Sequence, residues 1–245
     1  MRQKLNISLS ILSWNSHETL INTLKSYKRH GLLDMVGEVI IFFQETSERD
    51  LDIAKEFGIE NIISSETNVG IGSAIKALAE KASYDNFMFL EVDWVLVEEE
   101  SVVRSVLEGS IKLIEEGILD FYRLRNRINY GYPLYTSQFQ GRELDSPEHL
   151  IEQVHFLGKD LSTKFPELIK YTDAHGTETV YGDSKYCNYS NNPFICKKQF
   201  WLDNIAPSDK GGISLEGEIR ESWMNAGHKV GYNIPGLFEH KRLDR

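Results

Sequence analysis

Residues 86–94 read NFMFLEVDW. Phe87, Met88, Phe89 and Leu90 form an unbroken apolar run, which suits a strand buried on both faces. Glu91 and Asp93 follow, one residue apart, with Trp94 behind them. The pattern predicts a strand over Asn86–Val92. Two carboxylates at i and i+2 on a strand end can aim at one divalent cation. Oxygen ligands of this kind suit Mg2+ or Mn2+, which keep waters and take substrate phosphates as further ligands. A pair of solvated surface acids is the competing reading, and the buried strand in front of them weighs against it.

Upstream the chain alternates strand and helix. NISLSIL (Asn6–Leu12) predicts a first strand. The helix after it has Ser16 as its cap, Glu18 in its first turn, a stripe of Leu20, Leu24 and Tyr27, and Gly31 as its stop. EVIIFF (Glu38–Phe43) predicts a second strand, Ser47 to Phe57 a short helix, and NIISS (Asn61–Ser65) a third strand. TNVGIG (Thr67–Gly72) then turns on Gly70 and Gly72 into another helix. Repeated β-α-β units mean a mainly parallel sheet with helices on both faces. Ligands of such sheets bind at the carboxyl ends of the strands, which is where Glu91 and Asp93 fall.

Downstream the periodicity weakens. Residues 97–117 predict one or two helices, with the run Glu98, Glu99, Glu100 as a solvated helix start. DFYRLRNRINY predicts a strand in which Arg123, Arg125 and Arg127 share one face, either lining an anionic ligand or guarding a sheet edge. Residues 131–190 have little periodicity, and 171–190 predict a long loop. A helix stopped by Gly227 and a strand over HKVGYN close the pattern. His155 and His175 have no evident partner.

The net charge is 27 − 37 = −10. This argues against a general nucleic-acid binder, which carries a basic face. Cys187 and Cys196 lack metal-site spacing and are expected to be free thiols in a reducing compartment. The apolar run near the start alternates with Ser and Asn, unlike a signal peptide, and no segment approaches a membrane span. A soluble, cytoplasmic protein is expected. The turn after the first strand, SWNSHE, lacks the glycines of a dinucleotide fingerprint, and no G-K-[ST] marks a P-loop.

Taken in order, these segments resemble the GT-A glycosyltransferases, especially the family-2-like inverting group that uses nucleotide-diphosphate sugars. SLSILSWNSHETLINTLKS is similar to that group's opening strand and helix. EVIIFFQETSERD is similar to its second strand and base-reading turn, and ETNVGIGSAIKALAEKA to its N-x-G segment. FMFLEVDW stands where its D-x-D signature falls. The resemblance covers residues 5–95 and returns at 190–242. It implies one α/β domain over 1–245, Rossmann-like, with a nucleotide-binding half (1–95) and an acceptor-binding half (96–245); a chain that stops five residues after His240 is the expectation for a domain excised from a longer one. It implies Mn2+ or Mg2+ held by Asp93, Glu91 and His240. It implies a donor, such as a UDP-hexose, among Ser13, Trp14, Gln44, Glu45, Asn68, Gly70, Glu91 and Arg242. Glu216, 11 residues before Gly227, matches the catalytic acid and becomes the general base for a glycan or other hydroxyl acceptor, with inversion. Asn191, Asn192 and Trp201 become acceptor contacts. Two departures weaken the match: Glu91 replaces the first Asp of D-x-D, and Gln44-Glu45 replaces the acids after the second strand. They keep open a non-catalytic nucleotide-sugar-binding protein of the same fold. A sugar nucleotidyltransferase is the further alternative, disfavoured because SWNSHE lacks its glycine-rich phosphate loop.

Overall fold

The computed structural model describes residues 3–126, 131–132, 160–191, 193–211 and 214–244. The alternation expected from the first third is present: β1 (Leu5–Trp14), α1 (His17–Arg29), α2 (Leu32–Met35), β2 (Val36–Gln44), α3 (Glu48–Glu56), β3 (Asn61–Ser64), α4 (Ile71–Lys81) and β4 (Asn86–Glu91). After a tight turn come β5 (Trp94–Leu96), α5 (Glu100–Glu115), β6 (Phe121–Arg123) and β7 (Gly131–Tyr132). Then follow α6 (Asp160–Lys164), β8 (Ile169–Ala174), β9 (Thr177–Asp183), β10 (Phe194–Lys197), α7 (Lys198–Asn204), α8 (Leu215–Asn225), β11 (Lys229–Asn233) and β12 (Phe238–Lys241).

One nine-stranded sheet has the order β3-β2-β1-β4-β10-β6-β11-β9-β8. β1 to β4 are parallel, whereas β10 runs antiparallel between β4 and β6. Both halves of the chain therefore build the same sheet. A small second sheet, β5-β12-β7, stands at the carboxyl end of β4.

The strand in NFMFLEVDW is apolar throughout because both its faces are covered. Met88 and Leu90 pack into one layer with Leu24 and Tyr27 of α1 and Leu107 of α5. Phe87 and Phe89 alternate into the other, with Ile75 and Leu78 of α4, Trp201 of α7 and Trp223 of α8. Glu91 shares the second face by the same alternation.

Three expectations are overturned. Residues 171–190 are not a long loop: β8 and β9 pair as a hairpin whose turn residues His175 and Gly176 have φ of 55° and 75°. Positive φ at both central positions matches the strand twist, and His-Gly supplies it less recognisably than Asn-Gly. The arginine strand stops at Arg123 and is no edge, since β6 lies between β10 and β11. Arg123 and Arg125 do not share a face. The fully buried Arg123 lies over the Tyr232 ring, and Arg125 lies over Trp94 beside the second sheet; Arg127 lies outside the described residues. Ser16 does not cap α1 with its side chain; its hydroxyl donates to Trp14 O at 2.9 Å. Ser47 does cap α3, in a reciprocal box with Asp50.

Both cysteines are buried, and they form no disulfide with each other. Among the described residues no helix is long and apolar enough to cross a membrane.

Candidate active site

The carboxyl ends of β1, β2 and β4 open into a cavity of about 490 Å³. Trp14, Gln44, Asn68 and Gly70 line one side of it, and Glu91, Asp93 and Arg242 the other. Seven of the sequence-predicted residues thus meet around one space. They come from three strand ends, the turn before α4, and the segment after β12.

The acid end is crowded. Asp93 sits in the turn between β4 and β5 and is buried. Its Oδ2 lies 3.1 Å from Nε2 of His240 and 3.7 Å from a guanidinium nitrogen of Arg242. His240 is also buried, with its ring edge-on to Trp94 at 5.0 Å. The register that pairs His240 with Trp94 across β12 and β5 sets this contact. Burial, helped by the charges of Asp93 and Glu216 and opposed by Arg242, pushes the Glu91 carboxyl up to about 8. Burial and then Asp93 also raise the Tyr27 hydroxyl, which donates to Trp94 O at 2.7 Å.

Among the described residues, no group of three or more His, Cys, Asp or Glu side chains converges to hold a metal ion. Asp93 and His240 instead pair with each other, and Glu91 stands beside them. The donor chemistry still suits a hard cation. A carboxylate and an imidazole leave positions for water and phosphate, and the crowding that keeps Glu91 protonated is what a divalent charge relieves.

The other side of the cavity is held by amides. Gln44 Oε1 accepts from Val69 N at 2.8 Å, and Asn68 Oδ1 from Gly70 N at 2.9 Å. Each amide therefore turns its NH2 group away from these backbone donors. Gly70 has φ of 82°, which favours glycine. At Gly72 a Cβ would come within 2.4 Å of the Asp209 side chain, so only glycine lets the segment before α8 close here. Glu45 does not line the cavity. Its Oε2 accepts from Trp14 Nε1 at 2.9 Å and Asn15 Nδ2 at 2.8 Å, tying two strand-end turns together. Ser13 is buried, and alternation along β1 points it away from the face that carries Leu12 and Trp14.

Glu216 lies in the first turn of α8, where Ser214 Oγ accepts from Gly217 N. Its Oε1 accepts from Asn191 N at 2.7 Å. Asn191 is buried and Asn192 lies outside the described residues. Trp201 is fully buried against Phe87, with ring centroids 6.5 Å apart, so it offers no stacking surface to a sugar. Its sequence neighbourhood is polar, and only the tertiary packing buries it. His175 has a partner after all, Glu116 at 3.0 Å, while His155 lies outside the described residues. Sequence reasoning missed Thr19 and Asp244, which bond to each other across the chain; no local signal marks a contact at that separation.

Compared by sequence, the chain matches no family model and no curated protein. Compared by structure, it is similar to S. aureus TarS residues 1–349, with a TM-score of 0.58 at 13% identity, covering 98% of this chain and 60% of that one. It is similar to GalNAc-T7 solved with UDP, GalNAc and Mn2+, with a TM-score of 0.59 at 14% identity, covering 97% of this chain and 43% of that one. Glucosyl-3-phosphoglycerate synthase from Mycobacterium tuberculosis, solved with Mg2+ and UDP, gives 0.53 at 14% identity, covering 97% of this chain and 72% of that one. The fold is that of the GT-A glycosyltransferases. The GT-A sheet places the cavity at the strand ends, as the parallel order requires. The chain spans 60% of the TarS fragment's length.

Proposed function

We propose that this GT-A chain transfers a sugar from a nucleoside-diphosphate sugar, a UDP-hexose, to an acceptor hydroxyl with inversion, using Mn2+ or Mg2+. The observation that carries the reading is the meeting of Glu91, Asp93 and Arg242 at one strand-end cavity, with His240 paired to Asp93 and the charge of Glu216 felt at Glu91. Structural neighbours solved with UDP and a divalent cation support it.

Trp14, Gln44 and Asn68 hold the nucleoside in this reading. The two amides offer NH2 donors to carbonyls of the base or to phosphate oxygens. Asp93 and His240 hold the cation, with Glu91 beside them as a ribose or water contact. The bound cation supplies positive charge against the departing diphosphate. Arg242 supplies a second, fixed positive charge to the same oxygens. Glu216 is the general base. Its Oε1 is held by Asn191 N, which leaves Oε2 to take the proton of the acceptor hydroxyl. The acceptor's own oxygen then bonds to the anomeric carbon while the bond from that carbon to the diphosphate oxygen breaks, and the electron pair leaves with the nucleoside diphosphate.

A binding protein without transfer is the second reading, favoured by the ion pairs that engage Asp93 with His240 and Arg242. A thermal-shift panel of nucleotide-sugars with and without Mn2+, joined to a transfer assay, separates the two. Binding to the native state adds about 2.7 kcal/mol at a ligand concentration of 100 Kd. The expected result is a Mn2+-dependent rise in Tm with one donor, lost in Asp93→Ala, together with turnover. A rise without turnover supports the binding protein. No Mn2+-dependent rise with any donor sinks the enzyme reading.

A further inference from the structure

Helix α1 starts without a side-chain cap of its own. Ser16 occupies the cap position, but its hydroxyl donates to Trp14 O and accepts no helix amide. First-turn N–H groups need acceptors from elsewhere. Asp244 provides them from the far end of the described chain. Its Oδ2 accepts from Glu18 N at 3.0 Å and Thr19 N at 3.4 Å, and its Oδ1 accepts from the Thr19 hydroxyl. Thr19 Oγ1 in turn accepts from Leu243 N at 3.0 Å. Thr19 is fully buried. A carboxylate at a helix N-terminus also meets the positive end of the helix dipole.

On the other side of Arg242, Lys241 N donates to Asp93 O at 2.7 Å. Arg242 is therefore the single residue between two anchors. One anchor is the metal-side turn, the other is α1. Its guanidinium lines the cavity. The same contact draws in the Trp14 turn, because Ser16 bridges that turn to the start of α1. The two walls of the cavity are thus joined through one carboxylate.

We propose that Asp244, through Thr19, is a positioning residue that fixes Arg242 against the donor's diphosphate. This rests on the nucleoside-diphosphate-sugar reading of the cavity. A guanidinium already held in place loses less conformational freedom on binding phosphate than one on a free tail.

The test is a double-mutant cycle on the full chain, read by calorimetric titration with UDP and with UMP in the presence of Mn2+. Arg242→Ala is expected to weaken UDP binding about 10–30-fold through loss of a charge-assisted contact. Asp244→Ala is expected to weaken it about 5–10-fold by loosening that contact. Both should leave UMP within about twofold, since only the second phosphate reaches Arg242. In the double variant Asp244→Ala should add nothing to Arg242→Ala, the signature of one shared interaction. Asp244→Asn keeps an acceptor oxygen for the helix amides and should restore most of the affinity. Multiplying losses in the double variant, or equal losses for UMP and UDP, overturn the clasp alone. Wild-type protein that binds no UDP overturns the donor reading and the clasp's role together. If Asp244→Ala does not fold, Thr19→Val carries the same cycle with the same expected outcomes.

Discussion

The two ends of the sheet both carry cavities, and they differ in charge as well as in size. At the amino end, Lys4, Asn86, Arg104, Glu108 and Glu115 line a space of about 600 Å³. Lys112 lines it too, and both of its acids have a cationic partner: Arg104 lies 3.3 Å from Glu108, and Lys197 lies 3.6 Å from Glu115. At the carboxyl end the space is smaller, about 490 Å³. There Glu91 and Asp93 stand side by side, and burial, aided by the charges of Asp93 and Glu216, drives Glu91 toward its neutral form. A carboxyl driven toward its neutral form chiefly by burial, and held in a cavity by a folded scaffold, marks a candidate functional site. Volume alone would have chosen the wrong end.

The largest effect that tests this contrast is at Glu216. Glu216→Gln keeps the hydrogen bond from Asn191 but removes the base. Turnover should fall about 10²–10⁴-fold with donor affinity preserved. Unchanged turnover in a transfer assay would break the assignment.

The next effect is on stability. Glu91 has a folded-state value raised above its unfolded one. The folded chain holds this proton between about pH 4.5 and 8 while the unfolded chain releases it. Stability from this group is thus present below about pH 4.5 and falls as pH rises to 8. In cation-free protein Glu91→Gln should gain Tm over wild type as pH rises through that window, by an effect on the order of a few kcal/mol. A Tm difference flat in pH would show that the acids are not crowded. At the amino end the sign reverses. Burial lowers the pKa of His228, at the start of β11, despite the opposing charges of Asp120 and Asp183. Its neutral form is favoured by folding, so stability from it falls as pH drops below about 6.5. His228→Phe should flatten that acid limb in a pH series of melting curves.

The smallest effect is the control. Arg104→Ala at the amino end removes an i,i+4 pair with the exposed Glu108, worth about 0.3–0.5 kcal/mol, and a hydrogen bond to Gln3 O. Donor affinity by calorimetry should stay within about twofold of wild type. A larger loss would mean that the matched end also serves the ligand.

Much of the first half was legible in the sequence because its strands are buried on both faces and its turns carry glycine. The run from Phe87 to Leu90 could only be a central strand, and the acids after it had to fall at the ligand end. The second half was less legible for local reasons. The hairpin of β8 and β9 hides behind polar alternation and a His-Gly turn. Trp201 sits in a polar neighbourhood yet lies deep in the core. The arginines alternate as a strand would, but the chain leaves the sheet after Arg123 and carries Arg125 to a second one.

What the sequence determined by itself is the parallel α/β frame and the position of Asp93 and Glu91 at its carboxyl end. Periodicity and turn chemistry are local, so they can be read without coordinates. What only the tertiary structure decided is how the distant residues that the resemblance named come together. The pairing of β12 with β5 brings His240 and Arg242 to Asp93. The bond of Asp244 to Thr19 ties that segment to the first helix. Contacts between residues more than 140 positions apart leave no periodic trace in the chain, because they depend on how the two sheets stack.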